Sequence, residues 1–220
     1  MKNAVFLFDM NGVIVNDEHL HERATKHTLQ QHGHMCTTAD YKKYFAGRTR
    51  DAGMKQFGLA NQATYDYLQL AEEKDAAYQL FAKEGVESVA HVVEFIERMS
   101  ADGTRMAVVT GAPRKEAKHF LELFDVADHF LQIVTGEDIT LSKPHPEGYL
   151  KAAAMLQVSP RECIVVEDAP NGVKAAKRAG MRCIAVTTSH HAEDLHEADW
   201  VVEDLAREYP GLTKLQLQFA

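Results

Sequence analysis

The sequence lacks the features that mark several classes of protein. It has three cysteines, Cys36, Cys163 and Cys183, and no CxxC pair, so we expect neither a disulfide framework nor a zinc site. No apolar run approaches the roughly 20 residues that a membrane-spanning helix needs. The formal net charge of −8 disfavours a general binder of nucleic acids or of anionic membranes, because phosphate groups repel a negative surface.

The same features indicate a compartment and a kind of ligand. Cys163 and Cys183 lie in apolar runs, where a free thiol behaves as a small hydrophobic group and fits a reducing environment. The first apolar run begins at Ala4, which leaves no room for a signal peptide before it. We therefore expect a cytoplasmic protein, a monomer or weak dimer. A small anionic substrate stays possible, since a bound cation can reverse the local field.

After Gly85 the chain alternates between short apolar runs and helical segments. Together with the run at 4–8, the predicted strands are 106–109, 130–134, 163–166, 182–186 and a short edge strand at 200–202. The predicted helices between them are 89–100, 113–124, 146–156 and 169–179. Strands that alternate with helices indicate βαβ units and a parallel sheet. We predict a Rossmann-like α/β core built from residues 1–15 and 86–220.

The intervening segment has a different pattern. Residues 17–85 show helical periodicity and almost no strand-like runs, and the clearest helix is predicted from Ala60 to Lys83, with Gly85 as its stop signal. The fold class is therefore α/β, with a helical domain of residues 16–85 inserted after the first strand.

Polar groups stand next to the predicted strands at four places. Asp9 follows the first strand, Thr110-Gly111 follows the strand at 106–109, and Glu167-Asp168 follows the strand at 163–166, while Lys143 lies in a loop. The carboxyl ends of parallel strands share one edge of the sheet, where ligands of such folds collect. We expect carboxylates, a hydroxyl with nearby amides, and an ammonium to converge there.

That set of groups suits phosphate chemistry. Carboxylates supply the oxygen ligands that Mg²⁺ prefers, beside waters and a substrate phosphate. The hydroxyl of Thr110, the amides near Gly111 and the ammonium of Lys143 would bind phosphate oxygens. A carboxylate such as Asp9 can also attack phosphorus and form an aspartyl-phosphate.

Each of these places also has a structural interpretation. Thr110-Gly111 would end a strand, Lys143 would be a solvated loop side chain, and Glu167-Asp168 would cap the next helix. Taken singly, these interpretations are favoured. All four places in this order, each beside a strand, favour a shared site instead. A histidine cluster of His190, His191 and His196 resembles a metal site, but its loop-like context favours loop residues.

Two motifs carry a resemblance to a known family. Residues 165–176, VVEDAPNGVKAA, and Ser142-Lys143-Pro144 are similar to motifs of the haloacid dehalogenase superfamily, in its β-phosphoglucomutase and phosphoglycolate phosphatase-like group. The resemblance covers nearly the whole chain, including the helical cap. It implies a phosphotransferase that uses Mg²⁺ and an aspartyl-phosphate.

The resemblance assigns a role to each candidate residue. Asp9 resembles the nucleophile and Lys143 the lysine that links phosphate and nucleophile, while Thr110 with Gly111 resembles the phosphate-binding turn. The metal site would consist of Asp9, the carbonyl of Asn11, Glu167 and Asp168, with Asp168 the more direct ligand of the acidic pair. In the cap, Gly47, the substrate-binding Arg50, and His21 on the first helix occupy positions typical of the group.

One position departs from the family pattern. The first motif of the family reads Asp-X-Asp, and here the second acid is Asn11. In the family that aspartate protonates the leaving group and then activates water, which an amide cannot do. The loss of general acid–base catalysis typically costs about 10²–10⁴ in rate. Metal binding through the backbone carbonyl and attack by Asp9 stay intact.

Three explanations of Asn11 stay open from the sequence. Asp17, His19 or His21 at the start of the cap would carry the proton instead, and histidine titrates near neutrality. The protein would otherwise be a weak phosphatase or a phosphate-ester binder. In the third explanation Asn11 is an engineered change.

We predict a Mg²⁺-dependent phosphatase that acts on a small phosphorylated metabolite, a sugar phosphate or a phosphoglycolate-like ester. A phosphomutase is the alternative within the family. Arg50 supports it, because a mutase must hold a second phosphate, whereas Ala46 before Gly47 replaces a basic residue often found in phosphoglucomutases. An impaired protein that only binds phosphate esters is the alternative from another class.

Overall fold

A computed structural model describes residues 4–46 and 50–208 of the chain. Gly47 and the side chain of Arg50, both candidate cap residues, lie outside the described residues. The chain divides into two compact units, one formed by the residues up to Asn16 and from Ser88 onward, the other by Asp17–Glu87. Among the described residues, no helix combines the length and the apolar character of a membrane span.

The first unit is built on a parallel sheet. In the described part of the chain its six strands are β1 (Val5–Phe8), β4 (Met106–Val109), β5 (Gln132–Val134), β6 (Cys163–Glu167), β7 (Arg182–Val186) and β8 (Trp200–Val202). They are ordered β5-β4-β1-β6-β7-β8 in the sheet, and every adjacent pair is parallel. This arrangement confirms the predicted α/β class.

Both faces of the sheet are covered, which explains why its strands read as continuous apolar runs. Leu7 packs in the core cluster that contains Tyr149, whereas the ring of Phe8 lies 6.1 Å from that of Phe95. Successive side chains of β1 thus point to opposite layers. The helices of this unit are α5 (Val92–Ala101), α6 (Arg114–Leu123), α7 (Glu147–Met155) and α8 (Pro170–Arg178).

The second unit is helical. Its described helices are α1 (Glu18–Gln31), α2 (Thr38–Tyr44), α3 (Arg50–Ala60) and α4 (Tyr67–Ala82). Its core cluster is made of aromatic and aliphatic side chains contributed by all four of these helices and the chain between them: Leu29, Cys36, Tyr41, Phe45, Met54, Phe57, Leu70 and Ala71. Where the two units adjoin along the chain, the short strands β2 (Val15–Asn16) and β3 (Glu87–Ser88) form a two-stranded sheet.

Two predicted helices have different bounds in the structure. The helix predicted from Ala60 to Lys83 is wrong at its start, because α4 begins only at Tyr67. Asp66 caps it there, since its side chain accepts a hydrogen bond from the backbone N–H of Leu68 at 2.9 Å. The helix predicted over 89–100 begins at Val92, after His91 adopts a left-handed conformation with φ of 59°.

Candidate active site

Asp9 lies at the carboxyl end of the central strand. It follows β1 directly, and its backbone N–H donates to the carbonyl of Val166 in the neighbouring strand β6 at 2.9 Å. The residue is buried. The apolar run that precedes Asp9 therefore places a carboxylate at the edge of the sheet where the loops after β1, β4 and β6 meet.

Lys143 joins two of the predicted acids. Its ammonium contacts Oδ1 of Asp9 and lies 2.6 Å from Oε1 of Glu167. The ammonium also stands 5.2 Å from the centre of the Tyr149 ring, a cation–π distance. Lys143 is therefore not a solvated loop side chain, although 134 residues separate it from Asp9.

The Glu167 carboxylate accepts hydrogen bonds on both of its oxygens. Besides Lys143, the hydroxyl of Tyr149 donates to Oε1 at 2.6 Å, and the backbone N–H groups of Asp168 and Ala169 point to Oε2 at 3.1 and 3.4 Å. A Cβ at Gly172 would stand 1.8 Å from Oε1, so only glycine fits there. The Glu167 carboxylate is consequently held in one position and anchors Lys143.

Three buried carboxylates form a group that could hold a cation. One oxygen each from Asp9, Glu167 and Asp168 lies within 4.8 Å of the others. Gly12, with φ of +78°, packs so close to Asp168 that a Cβ would stand 1.9 Å from Oδ2. Oxygen donors of this kind fit a hard divalent cation such as Mg²⁺ and not a soft one. The residues present therefore suit the predicted metal.

The electrostatics of the site follow from burial and proximity. The pKa of Asp9 is raised to about 7 overall, chiefly by burial and also by the charge of Glu167, although Lys143 lowers it. Burial by itself would lower the pKa of Lys143, but Asp9 and Glu167 raise it above its ordinary value. Lys143 is thus a permanent cation, and Tyr149, whose pKa burial raises well above 10, stays a donor.

The turn after β4 lies beside this group. Thr110 is buried, and its Oγ1 accepts a hydrogen bond from the N–H of Ala112 at 3.0 Å, which leaves the hydroxyl proton for another acceptor. Strand β4 pairs directly with β1, so Thr110 and Gly111 occupy the same edge of the sheet as Asp9. A Cβ at Gly136 would stand 2.4 Å from the carbonyl of Gly111.

The remaining predicted residues are spread over both units. The backbone of Asn11 forms an isolated β-bridge with that of Val15, at the turn after Asp9. In the helical unit, His21 Nε2 lies 3.4 Å from Oδ2 of Asp17, and its Nδ1 lies 2.9 Å from the ammonium of Lys74. Both ring nitrogens of His21 are therefore engaged by neighbours within its own unit.

Sequence reasoning missed Tyr149 and Thr188, and it considered His190 only within the histidine cluster, where it favoured plain loop residues. Tyr149 occupies an inward position of α7 that is typical of an ordinary core residue. No neighbouring residue in the sequence indicates that its hydroxyl has a hydrogen-bond partner. His190 and Thr188 follow β7 in a polar stretch that reads as a loop. In the structure, His190 Nδ1 lies 3.1 Å from the carbonyl of Asp168. For Thr188 and His190, the position after the end of β7 is a signal that could have pointed to the site.

Residues 6–186 match the family of haloacid dehalogenase-like hydrolases. The chain belongs to this family. Haloacid dehalogenase-like hydrolases generally use a divalent metal, and the buried carboxylates at the edge of the sheet are consistent with that. The chain is accordingly an enzyme of the hydrolase class, and the resemblance carried by its motifs is confirmed.

Phosphatases are prominent among the relatives of this haloacid dehalogenase-like hydrolase. It is 33% identical over 201 residues to validoxylamine A 7'-phosphate phosphatase of Streptomyces hygroscopicus subsp. limoneus, covering 91% of this chain and 93% of the relative. It is 29% identical over 204 residues to hexitol phosphatase A of Escherichia coli (strain K12), covering 91% and 90%. The fold matches β-phosphoglucomutase from Clostridium difficile with a TM-score of 0.87 at 22% identity, covering 99% of each chain.

Proposed function

We propose that this chain is a Mg²⁺-dependent phosphatase that cleaves a small phosphate ester, a sugar phosphate or a phosphoglycolate-like compound, through an aspartyl-phosphate on Asp9. The observation that carries the proposal is the contact of the buried Asp9 carboxylate with the Lys143 ammonium, beside the further carboxylate of Asp168. A nucleophile, a fixed cation and metal ligands at one sheet edge are the set that phosphoryl transfer requires.

In the proposed reaction an oxygen of Asp9 attacks phosphorus. A bond forms between that oxygen and phosphorus while the ester bond to the leaving oxygen breaks, and the leaving oxygen takes a proton. Water then cleaves the aspartyl-phosphate, which restores the carboxylate and frees inorganic phosphate. Lys143, anchored by Glu167 at 2.6 Å, supplies a positive charge where negative charge gathers on the phosphoryl oxygens.

We assign the direct metal ligands to Asp9, Asp168 and the backbone carbonyl of Asn11. Glu167 belongs to the same group of carboxylates, but its oxygens already accept from Tyr149 and from the amides of its neighbours. Bound Mg²⁺ would reduce the repulsion between a carboxylate nucleophile and an anionic ester. Thr110 and Gly111 would hold the phosphoryl oxygens with a hydroxyl and backbone N–H groups.

The proton of the leaving group needs another carrier than Asn11. Asp17, His19 and His21, at the start of the helical unit, are the candidates. Asp17 is buried and accepts a hydrogen bond from the Tyr78 hydroxyl at 2.6 Å, and both nitrogens of His21 are engaged. His19 is exposed. To carry the proton, Asp17 or His21 must first break one of these contacts, and His19 must act from an exposed position. We therefore predict slow turnover.

We propose the helical unit as the cap that selects the substrate, with the domains divided as 1–15 with 86–220 for the core and 16–85 for the cap. Gly47, Arg50 and His21 would contribute to substrate binding. The two relatives that cover 91% of this chain are named for a validoxylamine 7'-phosphate and for a hexitol phosphate, whereas the phosphoglycolate phosphatases among the relatives match only 63% of it. These names favour the ester of a polyhydroxylated compound over phosphoglycolate as the first substrate to test. A cytoplasmic location and a monomeric or weakly dimeric state complete the proposal.

The test is a screen of phosphate esters with Mg²⁺. Hexitol phosphates, sugar phosphates and phosphoglycolate are incubated with the purified chain, and inorganic phosphate is measured. We expect release that needs Mg²⁺, stops on addition of EDTA and is lost in Asp9→Asn. Isomerised product without phosphate release would replace the proposal by a phosphomutase.

Asn11 favours one further candidate, a protein that binds phosphate esters without turning them over. Without the family's acid–base group, binding through Thr110 and Lys143 would persist while catalysis fails. Calorimetry on the same esters distinguishes this case, because saturable binding with neither phosphate release nor isomerisation would establish it.

A further inference from the structure

The loop after β7 spans two strands of the sheet. Strand order places β6 between β1 and β7, yet the hydroxyl of Thr188, two residues past the end of β7, donates a hydrogen bond to the carbonyl of Gly12 in the loop after β1. His190 lies against the carbonyl of Asp168 in the loop after β6. Residues 188–190, which we name the strap, thus contact both loops that carry the candidate metal ligands.

The two hydrogen bonds of the strap have defined directions. A backbone carbonyl only accepts, so Nδ1 of His190, 3.1 Å from the carbonyl oxygen of Asp168, must carry the proton. The hydroxyl of Thr188 donates in the same way to Gly12. Each bond therefore fixes the backbone of a ligand loop without occupying a carboxylate oxygen.

The packing between the strap and the ligand loops is close. A Cβ on Gly12 would stand 1.9 Å from Oδ2 of Asp168 and 2.7 Å from Oγ of Ser189. Gly12 therefore packs closely against both the Asp168 carboxylate and the strap. A shift of the strap would change the spacing of Asp168 from this turn.

We propose that Thr188 and His190 are positioning residues that hold the Asn11–Gly12 turn and Asp168 at the spacing that a divalent cation needs. The inference rests on the proposed function in taking Asp9, Asn11 and Asp168 as metal ligands. Groups that orient metal ligands typically change metal affinity about 10–100-fold when they are removed. The strap supplies such groups from a third strand end, away from the phosphate-binding turn.

The experiment measures binding of Mn²⁺ alone, without substrate, from the amplitude of the free Mn²⁺ signal in electron paramagnetic resonance. The purified full chain is compared with Thr188→Val and His190→Ala, which remove the donors, and with Thr188→Ser and His190→Asn, which keep a donor at a similar place. We expect each donor-removing variant to raise the Kd for Mn²⁺ about tenfold or more. The donor-keeping variants should stay within about threefold of the unchanged protein, because the hydrogen bonds are retained.

His191→Ala is the matched control, because His191 is the exposed neighbour of His190 and should bind Mn²⁺ like the unchanged protein. Circular dichroism and thermal unfolding establish that each variant is folded. The inference is overturned if Thr188→Val and His190→Ala bind Mn²⁺ as the unchanged protein does, if His190→Asn is as weak as His190→Ala, or if the unchanged protein binds no Mn²⁺.

The same measurement separates this inference from the proposed function. Mn²⁺ binding that weakens as expected, in a protein that releases no phosphate from any ester, would support the strap and contradict the phosphatase. Phosphate release with unaltered Mn²⁺ binding in the donor-removing variants would contradict the strap and leave the phosphatase supported.

Discussion

The hydroxyl of Tyr149 donates a hydrogen bond of 2.6 Å to Oε1 of Glu167, and both side chains are buried. The bond links α7 to the end of β6, and through Glu167 it reaches Lys143. A carboxylate inside a protein needs donors on its oxygens, because desolvation of an unsatisfied charge is costly. Tyr149 therefore supports the site through Glu167, which in turn holds Lys143.

Tyr149→Phe should destabilise the protein by about 1.5–3 kcal/mol, the range for a hydrogen bond to a charged group. The ring stays and only the donor to Glu167 is lost. Denaturant unfolding followed by circular dichroism measures the change. Tyr65→Phe is the control, since its hydroxyl donates to the neutral carbonyl of Met54 at 2.8 Å and should cost less. Equal losses in the two variants would contradict the special role of the charged acceptor.

Lys143→Met should lower the rate of phosphate release about 10²–10³-fold, as expected for the loss of a preorganised charge at the reacting group. Removal of the cation also leaves Asp9 and Glu167 without their common partner, so the pKa of Asp9 should rise further. The rate is measured on the best ester of the screen. Lys118→Met, at an exposed position, should leave it unchanged, and a Lys143→Met enzyme with full activity would remove Lys143 from the mechanism.

Asn11→Asp should raise phosphatase turnover, because it restores a carboxylate two residues after the nucleophile. General acid–base catalysis contributes about 10²–10⁴ in rate, and the gain should fall in that range if proton transfer limits the reaction. Initial rates on the same ester provide the measurement. Asn11→Ala is the comparison: its backbone carbonyl persists, so its turnover should equal that of the unchanged protein. Unchanged turnover in Asn11→Asp would mean that another group handles the proton.

The Asp138 carboxyl gives a prediction on pH. Hydrogen bonds from Thr135, with its backbone N–H at 2.8 Å, and the charge of Arg114 lower the pKa of Asp138 below its ordinary 3.8. A carboxyl with a lowered pKa stabilises the folded state above its ordinary pKa, and this contribution is lost as the pH falls through the folded value. Asp138→Asn should therefore be less stable than the unchanged protein at neutral pH.

Thermal unfolding across a pH series measures this difference, which should shrink as the pH falls below 3.8. Asp128→Asn, at an exposed position, is the matched control. A difference between Asp138→Asn and the unchanged protein that is constant with pH would show that packing, and not ionisation, is the cause.

Much of the fold was predictable because the apolar pattern of each segment reflects how that segment is buried between the layers of the structure. The run at Val5–Phe8 is apolar throughout because helices cover both sides of β1, and such runs identify parallel strands. The start of α4 was not predictable in the same way. The helical periodicity continues through residues 61–66, and only the cap formed by Asp66 shows where the helix begins.

The sequence by itself determined the α/β class and the succession of strands and helices along the chain. It also determined the strand ends that carry Asp9, Thr110 and Asp168. It also identified the family, through the motifs at residues 165–176 and Ser142-Lys143-Pro144. These features depend on local periodicity and on turns, which neighbouring residues dictate.

Only the tertiary structure decided which side chains hold the acids in place. Tyr149 and Glu167 are 18 residues apart, and Thr188 and Gly12 are 176 apart. No local pattern links such pairs, because their hydrogen bonds form only after the sheet brings separate loops to one edge. The physical reason is that a hydrogen bond depends on atoms within about 3 Å, a distance that packing sets and that spacing along the chain does not.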